Sequence, residues 1–257
     1  MNTTERSLYL QRIGYEGETS VSLQCLEALM ELHLRSVPFE NLESYEEGRV
    51  PSLEINDIYR KIVVRKRGGY CFELNKLFYE LLKSIGFQVI PLSVRILWNK
   101  EKRPPMLHRA TLVTLADGIY YCDVGYGGPG PKYPVKLENG IHEEKDGSFR
   151  IVMNPEGTAG EVLVERKKKD QYLPMLHFFL RPAVEEDFEP MNFYCAKSPN
   201  VLFAQKRVLS RNTSCGSVAL TGNELTILNG DGSLDRWEGK TDEVVKEWIK
   251  TYFEIQV

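Results

Sequence analysis

The stretch "RGGYCFELN", residues 67–75, decides how this chain is read. Two glycines, poor helix formers, are followed by a cysteine and an apolar repeat. Cys71, Leu74, Phe78, Leu81 and Ile85 step by threes and fours up to Gly86, a favourable residue just past a helix end. Cys71 is therefore the first stripe residue of a buried helix. At that address a thiol feels unpaired backbone amides and the positive end of the helix dipole, both of which favour thiolate. The same amides can receive an oxyanion developing on a carbonyl under attack. Gly68 and Gly69 carry no side chains and let a substrate approach closely. A free cysteine is also often just a small buried hydrophobe, and position alone leaves the two readings even.

Working outward, Leu23, Leu26, Met30, Leu34 and Val37 form another helical stripe that stops at Pro38. A further helix is expected after Ser52 as its N-cap, burying Ile55, Ile58, Tyr59, Ile62 and Val63, until "KRGG" breaks it. From Phe87 the texture turns to strand. Asp117-Gly118, Asn139-Gly140 and Asp146-Gly147 are hairpin signals there. "VEEDFEPMNFYCAKSPN" (184–200) reads as a mixed connector, and "AQKRVLSRN", "GSVALTG" and "NELTILNG" as a small antiparallel sheet. A closing helix after Thr241 is expected to bury Val244, Val245, Trp248, Ile249 and Tyr252, with Asp242 and Glu243 suiting its N-terminal dipole. "RKKKD" (166–170) reads as a solvated strand end.

With 42% hydrophobic and 27% charged residues over 257 positions, the chain can bury a real core. A net charge of −3 gives no long-range pull toward nucleic acid or an anionic membrane. No signal peptide or membrane span is visible, so a cytoplasmic protein is expected. Five cysteines without C-x-x-C spacing argue against a disulfide framework or a zinc site, and no metal is expected.

A nucleophilic cysteine needs a base, and the histidines are His33, His108, His142 and His177. His33 lies off the main stripe and reads as structural or exposed. His142 sits beside a turn, and His177, in "LPMLHFFL", fits a core histidine. His108 opens the strand "HRATLVTL", whose return strand leads to Asp123, an acid in an apolar run. A two-residue loop at Asp117-Gly118 pairs Ala116 with Ile119 and sets Leu112 opposite Asp123. His108 and Asp123 then share a face of the hairpin. The four intervening positions span roughly 13 Å, too far for a hydrogen bond, so a bulge, twist or bend must close the gap.

At this point four segments in order, "VPFENL" (37–42), "RGGYCFELN" (67–75), "PPMLHRATLV" (104–113) and "DVGYGGPGP" (123–131), resemble the arylamine N-acetyltransferases. With "SPNVLF" the resemblance spans residues 1 to about 205. It implies an α+β protein on a papain- and transglutaminase-like core: a helical domain (1–86), a β-barrel domain (87–200) and an α/β lid (201–257). By position it implies Cys71 as acyl-accepting nucleophile, His108 as general base and acid, and Asp123 as the group holding the tautomer of His108. Arg67 and Glu40 would form a buried ion pair. Phe39, Tyr126 and Phe203 would line the acceptor pocket, with Tyr126 in place of a more usual Phe. Leu107, Gly127 and Gly128 fall where CoA contacts are expected.

"GYGGPGP" superficially matches a dinucleotide-binding G-x-G-x-x-G, but prolines follow and no helix opens there. A loop that lets CoA's pantetheine or phosphates reach the backbone fits better. The alternative is a turn-rich strand exit without a ligand. The implied reaction is acetyl transfer from acetyl-CoA to an arylamine or arylhydrazine in two half-reactions, a role in xenobiotic metabolism, with His108 imidazolium depressing the Cys71 thiol. The nearest rival is a cysteine hydrolase or amide transferase using the same three residues. The aromatic "VPFENL" and "DVGYGG" segments favour small-molecule transfer.

Overall fold

The computed structural model describes residues 1–256, so Val257, the end of the expected lid, lies outside the described residues. The chain begins with helices α1 (Thr3–Ile13) and α2 (Leu23–Ser36), strand β1 (Phe39–Glu40), and helices α3 (Leu42–Tyr45), α4 (Ile55–Tyr59) and α5 (Cys71–Ile85). The sequence gives little sign of α1, which buries only Tyr9 and Ile13 and starts from a capping box between Asn2 and Glu5. Ser22 caps α2. Ser52 does not cap α4: its hydroxyl accepts the N–H of Glu54, the actual first boundary residue, and donates to Asp57 at 2.9 Å. A π-helical turn (60–64) then ends this segment before the glycines. Leu26, Leu29, Met30, Phe72, Leu74, Phe78 and Leu81 fill the helical core.

Of the two readings of His33, structural or exposed, the structural one holds. The side chain is fully buried, with Nδ1 2.7 Å from the Tyr9 hydroxyl. Burial, with the charge of Arg12 acting in the same direction, lowers its pKa to about 3. The folded value lies below the unfolded one of about 6.5, so the stability held by neutral His33 is complete above that pH and declines as pH falls toward 3. Urea unfolding at pH 5.5 should show about 1.3 kcal/mol less stability from this group than at pH 7. His33→Gln should remove that share of the pH slope. An unchanged slope would contradict the linkage.

The strands β2 (Gln88–Ile96), β3 (His108–Leu115), β4 (Gly118–Cys122), β5 (Val135–Lys136), β6 (Gly140–Glu144), β7 (Gly147–Met153), β8 (Glu161–Lys168) and β9 (Gln171–Phe179) form one antiparallel sheet. Its order is β5-β4-β3-β2-β9-β8-β7-β6. Asn139-Gly140 is therefore not a hairpin turn, because β5 and β6 stand at opposite ends of the sheet. The ends meet through the Glu144 carboxylate, which accepts the N–H groups of Lys132 and Tyr133 just before β5, and the sheet is barrel-like. Both faces of β3 are buried: Ala110 and Leu112 face the barrel core, and Val113 packs with the helical core.

Helices α6 (Phe188–Lys197) and α7 (Leu202–Gln205) follow, so the expected connector is partly helical. A second sheet is built from β10 (Val208–Asn212), β11 (Ser217–Thr221), β12 (Glu224–Leu228) and β13 (Leu234–Glu238), with β1 paired to β10 through Phe39–Ser210 and Glu40–Leu209. Strand β13 is an exposed polar edge without the alternation that marks a strand. Helix α8 (Asp242–Phe253) covers this sheet with Val245, Ile249 and Phe253, a strict i, i+4, i+8 row. Val244, expected inside, falls off that row and is exposed. No helix among the described residues is long and apolar enough to cross a membrane.

Candidate active site

Cys71 stands at the first position of α5, and the turn before it is clamped to "VPFENL". Glu40 N–H donates to Gly69 C=O at 2.9 Å, and Gly69 N–H to Pro38 C=O at 3.3 Å. A Cβ on Gly68 would lie 2.1 Å from Pro38 O, so this close approach requires glycine. Arg67 reaches the fully buried Glu40 through Nη2 at 3.0 Å and Nε at 3.2 Å. Sequence reasoning missed Lys61, whose buried ammonium touches Glu73 at 2.8 Å and Glu43 at 2.9 Å. Burial pushes Lys61 down, but Glu73, Glu40 and Glu43 more than reverse it, and it stays charged. Glu73 also accepts the N–H of Tyr70 at 3.1 Å, so this charge cluster fixes the turn that presents the cysteine.

His108 and Asp123 meet: Nε2 lies 2.6 Å from Oδ2. The expected 13 Å gap is absent because the register differs by two residues from the Asp117-Gly118 loop reading. Leu115 pairs with Gly118 and Leu112 with Tyr121, so the loop is Ala116-Asp117. Gly118 opens the return strand at φ +151°, a conformation that favours glycine. A shift of two preserves the face and halves the distance along the strand.

Asp123 accepts four hydrogen bonds from four groups. Oδ2 takes His108 and the Tyr121 hydroxyl (2.7 Å); Oδ1 takes Asn75 Nδ2 and Gly125 N–H (both 2.9 Å). Burial pushes this carboxyl up, but the His108 charge and the hydrogen bonds from His108, Asn75 and Tyr121 hold it below the usual carboxylate range. Asn75 and Tyr121 were not anticipated. Asn75 carries one signal, since it lies one helical turn after Cys71 on the same face. It also holds Arg109 C=O and Val124 N–H, stitching α5 to both ends of the hairpin.

The Cys71 thiol is pushed up, chiefly by burial and then by the neighbouring Cys195 thiol, with Asp123 adding to it. Backbone N–H groups of Arg109 and Phe72 at the sulfur pull the other way. The Phe72 amide at the helix start thus acts as expected, joined by the Arg109 amide from β3, but burial outweighs both. Arg109 itself is fully buried, bidentate to Glu185 at 2.9 and 2.6 Å, with its guanidinium over Phe188 at 4.5 Å.

A cavity of about 210 Å³ opens beside this group, lined by Phe39, Asp123, Tyr126, Gly127, Gly128 and Arg166 among others. The Tyr126 ring meets His108 edge-on at 6.1 Å, and Phe39 contacts Phe203 at 5.5 Å. Phe203 and Leu107 pack against the helical core and do not line this cavity; Leu107 C=O receives the Cys195 thiol at 3.7 Å. The glycines of "GYGGPGP" serve protein packing: a Cβ on Gly127 would fall 2.8 Å from the Phe39 ring, and one on Gly130 equally close to Tyr126. One on Gly125 would lie 2.8 Å from Cys71 Cα. Of the remaining histidines, His142 contacts Glu144 at 3.0 Å, and His177 contacts Glu161 and, at 3.0 Å, Arg103.

Residues 22–257 match the family model described as N-acetyltransferase. The chain is 30% identical to an arylamine N-acetyltransferase of Mycolicibacterium smegmatis over 85% of this chain and 80% of the relative. It is 31% identical to arylamine N-acetyltransferase 2 of Macaca mulatta over 97% and 93%. The solved structure of the Salmonella typhimurium arylamine N-acetyltransferase superposes with a TM-score of 0.92 at 25% identity, covering 99% of this chain and 92% of that one. The Mycobacterium marinum enzyme in complex with CoA gives 0.88 at 25% identity, covering 97% and 92%. The matched motifs, the helical segment followed by a barrel and a capped sheet, and these similarities place the chain in the arylamine N-acetyltransferase family.

Proposed function

We propose that this enzyme transfers acetyl from acetyl-CoA to an arylamine or arylhydrazine through an acetyl-Cys71 intermediate, with His108 as proton carrier and Asp123 as its anchor. The 2.6 Å contact between His108 Nε2 and a carboxylate already saturated with donors carries this reading. That carboxylate holds the Nε2 proton and leaves Nδ1 free to take one. The Cys71 proton passes to His108 as sulfur attacks the acetyl carbonyl. The carbon–sulfur bond to CoA breaks and His108 returns the proton to the departing thiolate. The neutral amine then attacks the acetyl thioester, His108 takes its proton, and Cys71 leaves as the thiol. The N–H groups of Arg109 and Phe72, already at the sulfur, suit the negative charge that develops there and on the adjacent oxyanion.

In this reading residues 1–86 supply the nucleophile, 87–200 the base and its anchor, and 201–257 the cover. Phe39 and Tyr126, which line the cavity, receive the aromatic acceptor, Phe203 backs the Phe39 ring from the helical core, and the Arg67–Glu40 pair holds the cysteine turn. Acetyl-CoA approaches the backbone of Gly127 and Gly128; the CoA complex of the Mycobacterium marinum relative supports this choice of donor. Initial rates with both substrates varied should give parallel double-reciprocal lines. Intersecting lines would mean that both substrates bind before any acetyl moves, and would overturn the two-step route.

A further inference from the structure

Arg166 is the cavity cation that has no salt-bridge partner among the described residues. It begins the basic run read from sequence as a solvated strand end, yet it lines the cavity beside Tyr126. Its guanidinium lies over Trp98 at 5.6 Å and Phe149 at 5.9 Å. Nη2 donates to Asp146 C=O at 3.1 Å, and Nε is buried without a partner. No carboxylate among the described residues forms a salt bridge with it. Glu144 and Asp146 are near enough to be felt, but both are engaged elsewhere. Glu144 holds the amides of Lys132 and Tyr133 together with His142, Asp146 holds the Lys132 ammonium, and Asp123 holds His108. The other cavity cations are matched: Lys132 by Asp146 and Arg211 by Glu254 at 2.7 Å. Half-buried Tyr126 lines the same cavity as Arg166, and its hydroxyl has no hydrogen-bond partner among the described residues.

We propose that Arg166, with the Tyr126 hydroxyl, forms an oxyanion subsite that holds a carboxylate or phosphate brought into the cavity by one of the two substrates. A guanidinium 5.6 and 5.9 Å from two aromatic ring centroids presents a planar fork that matches such groups. Partial burial spares the contact from much of the screening that surface pairs suffer. Tyr126 meets His108 edge-on and shares the cavity with Arg166, so an anion at Arg166 orients the substrate relative to the proton carrier. The inference rests on the transfer reaction proposed above.

The same chemistry has two sources: a carboxylate on the acceptor ring or a phosphate of the donor. Arg166→Gln is compared with wild type using 4-aminobenzoate and 4-aminobenzamide as acceptors, each with acetyl-CoA and with S-acetyl-N-acetylcysteamine, a thioester without phosphate. The subsite predicts a loss of kcat/KM of about tenfold or more confined to one anionic substrate, and less than about twofold for its neutral counterpart. Loss following the carboxylate assigns the acceptor; loss following acetyl-CoA assigns the donor. Equal loss, or none, across all four pairs overturns the subsite. Wild-type transfer with the neutral pair tests the reaction separately. If the Gln variant does not fold, Tyr126→Phe, which removes one oxygen, must show the same substrate selectivity to a smaller degree; uniform rates in that variant overturn the proposal.

Discussion

Cys71→Ser yields a folded protein that forms no acetyl-enzyme and transfers acetyl about 10⁴-fold more slowly, if at all. The substitution exchanges sulfur for oxygen in a site where the side chain is 3% exposed, so packing changes little. The chemistry changes greatly. Burial already pushes the Cys71 thiol up, and a hydroxyl, far less acidic, stays neutral in the same surroundings. An acetyl ester on serine would also be a poorer acyl donor to an arylamine than a thioester. Thermal unfolding near that of wild type, together with lost turnover, is the expected pair of results. A serine variant keeping a tenth of the activity would remove Cys71 from the acyl path.

Asp123→Asn should fold and lose about 10³- to 10⁴-fold in kcat, the scale seen when a tautomer-fixing carboxylate becomes an amide. The hydrogen-bond geometry gives the reason. Oδ1 faces Asn75 Nδ2 and Gly125 N–H, two fixed donors, so the amide oxygen must take that place. The NH₂ group then faces Tyr121 and His108. The tyrosine hydroxyl can turn and accept, but His108 can accept only by moving its proton to Nδ1, the nitrogen needed to receive the cysteine proton. Nitrogen-15 NMR of the imidazole should report the tautomer change alongside the kinetic loss. A wild-type rate would show that Asp123 does not set the proton position.

Much of this site was legible because its signals are local. The i, i+4 stripe that ends in glycine places Cys71 at a helix start, and parity alone puts His108 and Asp123 on one face of a hairpin. Parity does not fix register: whether Gly118 closes the turn or opens the strand depends on a backbone conformation, φ +151°, that composition does not state. Lys61 was hidden among stripe residues, where a lysine reads as solvated until three carboxylates are found around it. Arg109 gave still less sign, because its partner Glu185 lies 76 positions away. Lys167 to Asp170 are exposed as the solvated strand-end reading expects, and Arg166 alone departs from it. A basic run at a strand end looks exposed, and only the sheet's closure turns its first residue toward a cavity.

The most direct measurement of the central claim is the intact mass of the pure, reduced protein after mixing with acetyl-CoA and no amine, followed by peptide mapping. Transfer through Cys71 predicts one added acetyl group, located on that residue, with stoichiometric CoA release, and its disappearance when an arylamine is added. A folded, reduced protein that shows neither an adduct on Cys71 nor release of CoA would contradict it.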